Sequence, residues 1–255
     1  MLELLLAWAL IGLLAQLIDG ALGMAYGVTS TTALVSVGVY PALASASVHT
    51  AEIFTTLTSG VSHFKLGNVR KDIILPLAVP GVIGGATGAF FAVVLSSKIM
   101  QVVVGGILLF MGALILSKFA VKKVLLFRKD LPSSRMLVLL GYVAAFLDAI
   151  GGGGWGPIAT TTLVTNHVEP KKAIGSVNFT EFFVTLSESI TFMILIGLEQ
   201  FSWIIVFGLI IGGVIGAPIA AFGCKKIPQR ILGTLVGLSV MILSIRIILM
   251  YAGIL

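Results

Sequence analysis

The sequence predicts an all-α membrane protein that crosses the bilayer several times. Of its 255 residues, 58% are hydrophobic and only 10% are charged, whereas a soluble domain carries about 25% charged residues. A spanning helix needs about 20 mostly apolar residues. Stretches that approach or exceed this length cover residues 2–18, 42–64, 72–96, 100–117, 136–150, 172–197, 201–223 and 231–252. Cys224 is the single cysteine, which excludes a disulfide framework and a cysteine-based metal site.

The two halves of the sequence are related. A shift of 129 positions aligns Asp19 with Asp148 and keeps register without a gap for about forty residues. Chance matching of apolar residues does not place Asp, Pro and Glu in one register. We therefore predict a first repeat at 1–129, which includes a basic linker at 118–129, and a second at 130–255. The identical pairs include Gly27/Gly156, Pro41/Pro170, Ser47/Ser176, Glu52/Glu181 and Thr56/Thr185.

The basic residues predict that the repeats are inverted with respect to the membrane. Short loops rich in Lys and Arg stay on the cytoplasmic side. The loop after the stretch with Glu52 contains Lys65, Arg70 and Lys71, whereas the equivalent loop after Glu181, LEQFSW, contains no basic residue. Each repeat is then expected to contain a broken or re-entrant helix pair followed by three full transmembrane helices, an arrangement known in secondary transporters.

A glycine-rich break interrupts each repeat, at 20–27 and at 151–156. The short apolar runs that follow, 28–39 and 157–167, would span only about 18 Å as helices and cannot cross a core of about 30 Å. Exposed backbone at that depth must be buried or line a cavity.

Two facing helix N-termini at these breaks would attract an anion, although the glycines could instead serve only close helix packing. The predicted substrate-binding residues are those of the breaks, of the hydroxyl-rich helix starts and one amide: Gly23, Ala25, Tyr26, Gly27, Thr31, Thr32, Gly152, Gly154, Trp155, Gly156, Thr160, Thr161 and Asn178.

Two carboxylates are predicted near the bilayer midplane. Glu52 and Glu181 each follow a helix-starting proline by eleven residues, which is about 16 Å of helix. A charge there costs at least about 2.5 kcal/mol, so each Glu should face a polar cavity or carry a proton. The alternative is a protonated Glu that bonds a neighbouring helix. His49 lies one turn from Glu52, and its repeat equivalent is Asn178; it could share a proton with Glu52.

Asp19 and Asp148 end the helix that precedes each break. They could accept hydrogen bonds from the exposed N–H groups of the break or form a cation or proton site; both roles stay open. The residues that we predict to take part in proton coupling are therefore Glu52, Glu181, His49, Asp19 and Asp148.

The paired motifs IDGALGMAYG and LDAIGGGGWG, with the following PALASASVHTAE and PKKAIGSVNFTE segments, resemble those of the TauE/SafE family of sulfite-exporter-like membrane transporters. The resemblance covers essentially the whole chain. It implies a multi-pass carrier of the plasma (inner) membrane with two repeated bundles, which transports sulfite, sulfonates or other small sulfur-containing or organic anions.

The residues and the resemblance together predict a proton-coupled secondary transporter of a small anion, which holds its substrate at the midplane between the two breaks. A cation transporter that binds H⁺, Na⁺ or a divalent metal through the intramembrane carboxylates is the alternative, because no central Lys or Arg would pair with an anion. An accessory scaffold is a weaker alternative.

We expect no enzymatic activity, because no nucleophile lies beside a base in the sequence. We also expect no cofactor, no resident metal and no nucleic-acid partner, since the basic residues lie in short loops without interleaved aromatics. The expected partners are the small anion and the lipid bilayer, and homo-oligomer formation is left open.

Overall fold

The computed structural model describes residues 2–22, 24–95, 97–120, 132–223 and 229–251. Within these ranges the chain is helical and contains no strand. A π-helical turn at Gly156–Thr160 precedes α7, and a 3₁₀ turn at Leu198–Gln200 follows α8. The α-helices are α1 Leu2–Leu22, α2 Tyr26–Ser36, α3 Pro41–Lys65, α4 Lys71–Val94, α5 Ser97–Ala120, α6 Ser134–Gly151, α7 Thr161–Thr165, α8 Pro170–Ile196, α9 Trp203–Gly223 and α10 Gln229–Tyr251.

The chain is an all-α polytopic membrane protein, as the sequence predicts. Six of the described helices, α1, α4, α5, α6, α8 and α10, are long and apolar enough to cross a bilayer, and α9 contributes a shorter apolar segment. Helix α3 has the length, with 25 residues, but its many hydroxyl, His and Glu side chains make it less apolar. The inverted orientation of the repeats stays a prediction. Most of the predicted basic linker, from residue 121 onward, lies outside the described residues.

Both helix breaks occur where the glycine clusters predict them. Helix α1 ends at Leu22, and α2 begins at Tyr26 after Ala25, whose φ of 93° is left-handed. Helix α6 ends at Gly151, and Gly152 follows it in the left-handed region with a φ of 69°. Helix α2 has 11 residues, or about 16 Å of length. It is therefore too short to cross a hydrocarbon core of about 30 Å.

Helices of the two predicted repeats pack against each other rather than separately. The most extensive helix pairs are α1 with α9, α4 with α6, and α5 with α10, and α3 crosses α8 at the centre. In each of these pairs one helix comes from each half of the chain. Large apolar side chains such as Leu6, Ile83 and Ile194 stay exposed on the outer surface, where lipid would cover them.

Glycines allow the closest of these helix contacts. On α9, Gly208, Gly212 and Gly216 recur every four residues and face the backbone of α1. A Cβ atom at Gly212 would overlap the carbonyl oxygen of Ala9. Small residues bring helices close in membranes because lipid provides no hydrophobic drive for their association, so van der Waals packing must supply it.

Leucine at Gly212 is expected to separate α1 from α9 and to lower stability by about 3 kcal/mol or more, as overpacking does in tight interiors. Gly106 on α5 is the matched control, because a Cβ there meets no atom within 4 Å. Thermal unfolding of both variants in detergent, followed by tryptophan fluorescence, measures the difference. Equal midpoints for Gly212→Leu and Gly106→Leu would contradict the close contact.

Candidate functional site

The two breaks touch each other through their backbones. A Cβ atom added at Gly27 would lie 2.7 Å from the Cα of Gly153, 3.0 Å from the carbonyl oxygen of Gly152 and 2.9 Å from Oε1 of Glu52. A Cβ at Gly153 would overlap the backbone of Val28. Neither position has room for a side chain, so the glycines at these points are required by the contact itself.

A small polar cavity lies beside this contact. Its volume for a water-sized molecule is about 20 Å³, which is room for about one water molecule. It brings together predicted residues from both repeats, namely Ala25, Tyr26, Gly27, Gly156 and Asn178 of the substrate set, and Asp19, Glu52, Asp148 and Glu181 of the proton set. The other lining residues are Gln16, Met24, Thr55, Thr56, Ser59, Gly153 and Pro157.

Several residues predicted to bind substrate lie behind the cavity wall. Thr31 donates a hydrogen bond from Oγ1 to the carbonyl oxygen of Gly152 over 2.5 Å. Trp155 is fully buried, and its Nε1 donates to the carbonyl oxygen of Val177 over 3.2 Å. Thus these two side chains tie helices together. Their predicted contact with substrate stays a prediction.

The remaining members of that predicted set are placed as follows. Thr32 and Thr160 are buried, and their hydroxyl oxygens have no hydrogen-bond partner among the described residues. Thr161 is partly buried on α7, and Gly154 packs on the backbone of Asp148. Gly23 lies outside the described residues.

Asp19 and Asp148 bind the backbone of the break that follows each of them. The N–H of Tyr26, the first residue of α2, donates to Oδ1 of Asp19 over 3.3 Å. The N–H groups of Gly154 and Trp155 point to the carboxylate of Asp148. Hydrogen bonding to the backbone of the break is the first of the two roles predicted for Asp19 and Asp148. Because both carboxylates also line the cavity, a role with a proton or cation is compatible with the same positions.

His49 sits between two carboxyl groups at the crossing of α3 and α8. Its Nδ1 lies 3.0 Å from Oε2 of Glu52 and 3.2 Å from Oε2 of Glu188. Its Nε2 lies 3.3 Å from the backbone oxygen of Asp148. A carbonyl oxygen only accepts, so this contact places a hydrogen on Nε2. Nδ1 is then the nitrogen that can gain or lose a proton.

His49, Asp148 and Glu188 each have one potential metal-ligand atom, and these three atoms lie within 4.8 Å of one another. A metal ion could bridge this spacing. A metal ligand needs a free lone pair on the imidazole. Both ring nitrogens of His49 already have hydrogen-bond partners, and the lone pair or hydrogen on Nδ1 points to Glu52. In this structure the imidazole of His49 is thus engaged in hydrogen bonds, to Glu52 and to the backbone oxygen of Asp148.

The charged groups around the cavity are mainly acidic. Glu188 is fully buried and Glu52 is 4% exposed, while the cavity-lining residues include four carboxyl groups and no Lys or Arg. Like charges at such short range repel strongly in a low-dielectric interior. Protonation of some of these groups is the simplest way in which the site can reach a low charge.

Two residues near the site, Gln16 and Glu188, are not among the predicted binding or proton-coupling residues. Gln16 lies one turn before Asp19 and lines the cavity. Glu188 lies two turns after Glu181 on the same face of α8 and contacts His49. That helical spacing was the available signal for Glu188. Glu188 is not among the predicted residues because it lies farther along α8 than Glu181, away from the predicted midplane.

Two comparisons with known proteins gave matches over most of the chain. A sequence model described as sulfite exporter TauE/SafE matches residues 8–247. The probable membrane transporter protein YtnM of Bacillus subtilis (strain 168) is 44% identical over 245 residues, which cover 95% of this chain and 82% of that protein. No solved structure gives a significant match.

Removal of the Thr31 hydroxyl is expected to weaken the contact between the breaks. The variant Thr31→Val loses a buried hydrogen bond and leaves the oxygen of Gly152 with one partner fewer, so we expect a loss of about 1–2 kcal/mol in stability. Thr160→Val is the matched control, since Thr160 is the repeat equivalent of Thr31 and its hydroxyl has no partner in the described part of the chain.

Thermal unfolding in detergent compares the two valine variants with the unmodified protein. Thr160→Val should unfold at or above the original midpoint, because valine removes an unsatisfied buried hydroxyl. An equal loss in both variants would show that the Thr31–Gly152 bond does not hold the breaks together.

Proposed function

The chain belongs to the sulfite exporter TauE/SafE family, and on that premise we propose that this membrane transporter is a proton-coupled secondary carrier of a small anion. Sulfite, a sulfonate or a related sulfur-containing or organic anion is the proposed substrate class. The proposed location is the plasma membrane. Transport involves no catalysis, and the substrate binds at the midplane, where the two glycine breaks meet.

The contact between the breaks is the observation that carries this proposal. The first N–H groups of a helix have no partner within it, and those of α2 start beside the cavity. The N–H of Tyr26 donates to Asp19, while Gly27 lines the cavity without a side chain to cover its backbone. Together with the α2 dipole, this backbone supplies the attraction for an anion that Lys or Arg would otherwise provide.

Side chains around the breaks complete the proposed binding site. Asn178 and Ser59 both line the cavity. The Ser59 hydroxyl donates to Oδ1 of Asn178 over 2.9 Å, and in the proposal the hydroxyl and the amide turn toward the oxyanion. The ring of Tyr26 forms part of the wall, while its hydroxyl donates to the carbonyl oxygen of Leu209 over 3.1 Å. The cavity is smaller than a sulfur oxyanion, and transport therefore requires the surrounding helices to separate.

Proton coupling follows from the mainly acidic groups around the cavity. An anion next to ionised Glu52 and Glu181 would be repelled, whereas an anion next to the protonated groups would not. Binding of the anion and binding of the protons therefore favour each other, and linkage makes this coupling reciprocal. In this proposal Glu52, Glu181 and His49 carry the protons, and Asp19 and Asp148 hold the breaks while adding to the negative field.

Labelled sulfite uptake into proteoliposomes tests the proposal. An inward proton gradient should accelerate uptake, by up to about tenfold for each pH unit and coupled proton, since one unit is about 1.36 kcal/mol. The double variant Glu52→Gln/Glu181→Gln should lose that acceleration. Glu199→Gln is the control, because Glu199 is exposed in the turn after α8. Gradient-dependent uptake that survives in the double variant would refute proton coupling through these residues.

No Lys or Arg among the described residues lines the cavity, which favours a second candidate function, that of a cation carrier. In that case the same vesicles would move Na⁺ or another cation without any anion present. Uptake of labelled sodium that is lost in the double glutamine variant, together with no uptake of sulfite or sulfonates, would select the cation carrier.

A further inference from the structure

The contact of His49 with Glu188 between α3 and α8 has an uncharged equivalent at the repeat-related positions. Residues 49 and 59 correspond in the 129-residue register to residues 178 and 188. His49 contacts Glu188 over 3.2 Å, and Ser59 donates to Asn178 over 2.9 Å. The first and second copies of these two repeat positions are therefore in contact at two places between α3 and α8. One contact contains two ionisable groups, and the other contains none.

This comparison separates packing from chemistry. A hydroxyl and an amide are sufficient to join α3 and α8 at one of the two contacts, so the helix crossing does not by itself require His and Glu. A fully buried Glu is costly, and both carboxyl oxygens of Glu188 lack a hydrogen-bond partner among the described residues. A stability role alone gives no reason for that cost.

Glu188 differs from Glu52 in its access to the cavity. Glu52 lines the cavity, whereas Glu188 does not; its carboxyl group packs against Gly85 of α4, where an added Cβ would lie 2.8 Å from Oε1. His49 contacts both carboxyl groups through the same nitrogen, Nδ1. Phe192 stacks on the His49 ring with centroids 6.4 Å apart and covers that face.

We propose that Glu188 is an occluded proton acceptor, and that His49 passes a proton to it from Glu52 during the transport cycle. This inference rests on the proposed proton coupling and adds the residue that stores the proton away from the cavity. Protonated Glu52 gives its proton to Nδ1 of neutral His49, which becomes an imidazolium with Nε2–H kept on the oxygen of Asp148. The imidazolium then gives the Nδ1 proton to the Glu188 carboxylate.

The Nδ1 hydrogen bond is aligned on Glu52, and Oε2 of Glu188 lies 3.2 Å from the same nitrogen without a hydrogen bond to it. The second transfer therefore requires a reorientation of the His49 ring or of the Glu188 carboxyl group. The titratable groups that face His49 are Glu52 from α3, Glu188 from α8 and Asp148 from α6, with Asp19 and Glu181 farther around the cavity. Transfer to Glu188 would leave Glu52 ionised. The ionised Glu52 would repel a bound anion and thereby promote its release.

Two transport assays on Glu188→Gln test the relay. Exchange of labelled for unlabelled sulfite requires no net proton movement and should continue, because Glu188 does not line the cavity. Uptake driven by a proton gradient should fall to the rate seen without the gradient, a loss of about tenfold for a gradient of one pH unit and one coupled proton. His49→Gln should lose gradient-driven uptake to the same extent, and the double variant should show no slower gradient-driven uptake than either single variant, because both residues act in one step.

The control Glu199→Gln should keep both activities. Gradient-driven uptake that persists in Glu188→Gln, or additive losses in the double variant, would overturn the relay. A loss of exchange as well as gradient-driven uptake in Glu188→Gln would also overturn it, since that result assigns Glu188 to binding or folding.

Infrared difference spectroscopy separates the relay from the proposed function. The carboxyl C=O band that disappears in Glu188→Gln should titrate with pH in the unmodified protein and titrate at a different pH in His49→Gln. A Glu188 band that titrates identically with and without His49 would overturn the relay. If the unmodified protein shows no gradient-driven anion uptake while the band behaves as expected, the proposed function fails and the Glu188–His49 proton exchange stands.

Discussion

The contact of Gly27 with Gly153 brings two interrupted helices together inside the helix bundle. A backbone group at membrane depth cannot turn to water, so each unpaired N–H or C=O of a break must find a partner within the protein. Asp19 receives the N–H of Tyr26, Asp148 faces the N–H groups of the second break, and Thr31 donates to Gly152. The positions of Asp19, Asp148 and Thr31 are thus set by the needs of the broken backbone.

That same arrangement creates the electrostatic problem of the site. The carboxylates that satisfy the breaks bring negative charge to the place where the helix dipole of α2 would hold an anion. Glu52 and Glu188 add to it, and His49 is the basic side chain between them. Under the proposed function, such a site would hold an anion only with protons present, and the proposed coupling would then be a consequence of how the breaks are stabilised.

The sequence predicts the helices better than it predicts their partners. The apolar run 42–64 corresponds to α3 at Pro41–Lys65, and the glycine clusters correspond to both breaks, because length, proline and glycine act locally. The packing of α1 on α9 was not predictable, since apolarity sets the length of a membrane helix and says nothing of its neighbour. Trp155 illustrates the same limit. It follows the second glycine cluster, but its surroundings include Gly81 on α4, far away in the chain.

The pairing of α1 with α9 has a consequence for how the protein is made. At usual synthesis rates of about 5–20 residues per second, roughly 180 residues of further translation, about 10–40 s, separate the release of α1 from the appearance of α9. A shorter delay separates the synthesis of α4 from that of α6. Early helices must therefore wait in the lipid as single apolar segments, and their late partners must find them there. A ribosome-bound chain that stops before α9 should expose the glycine-facing surface of α1 to membrane insertases and quality-control proteases.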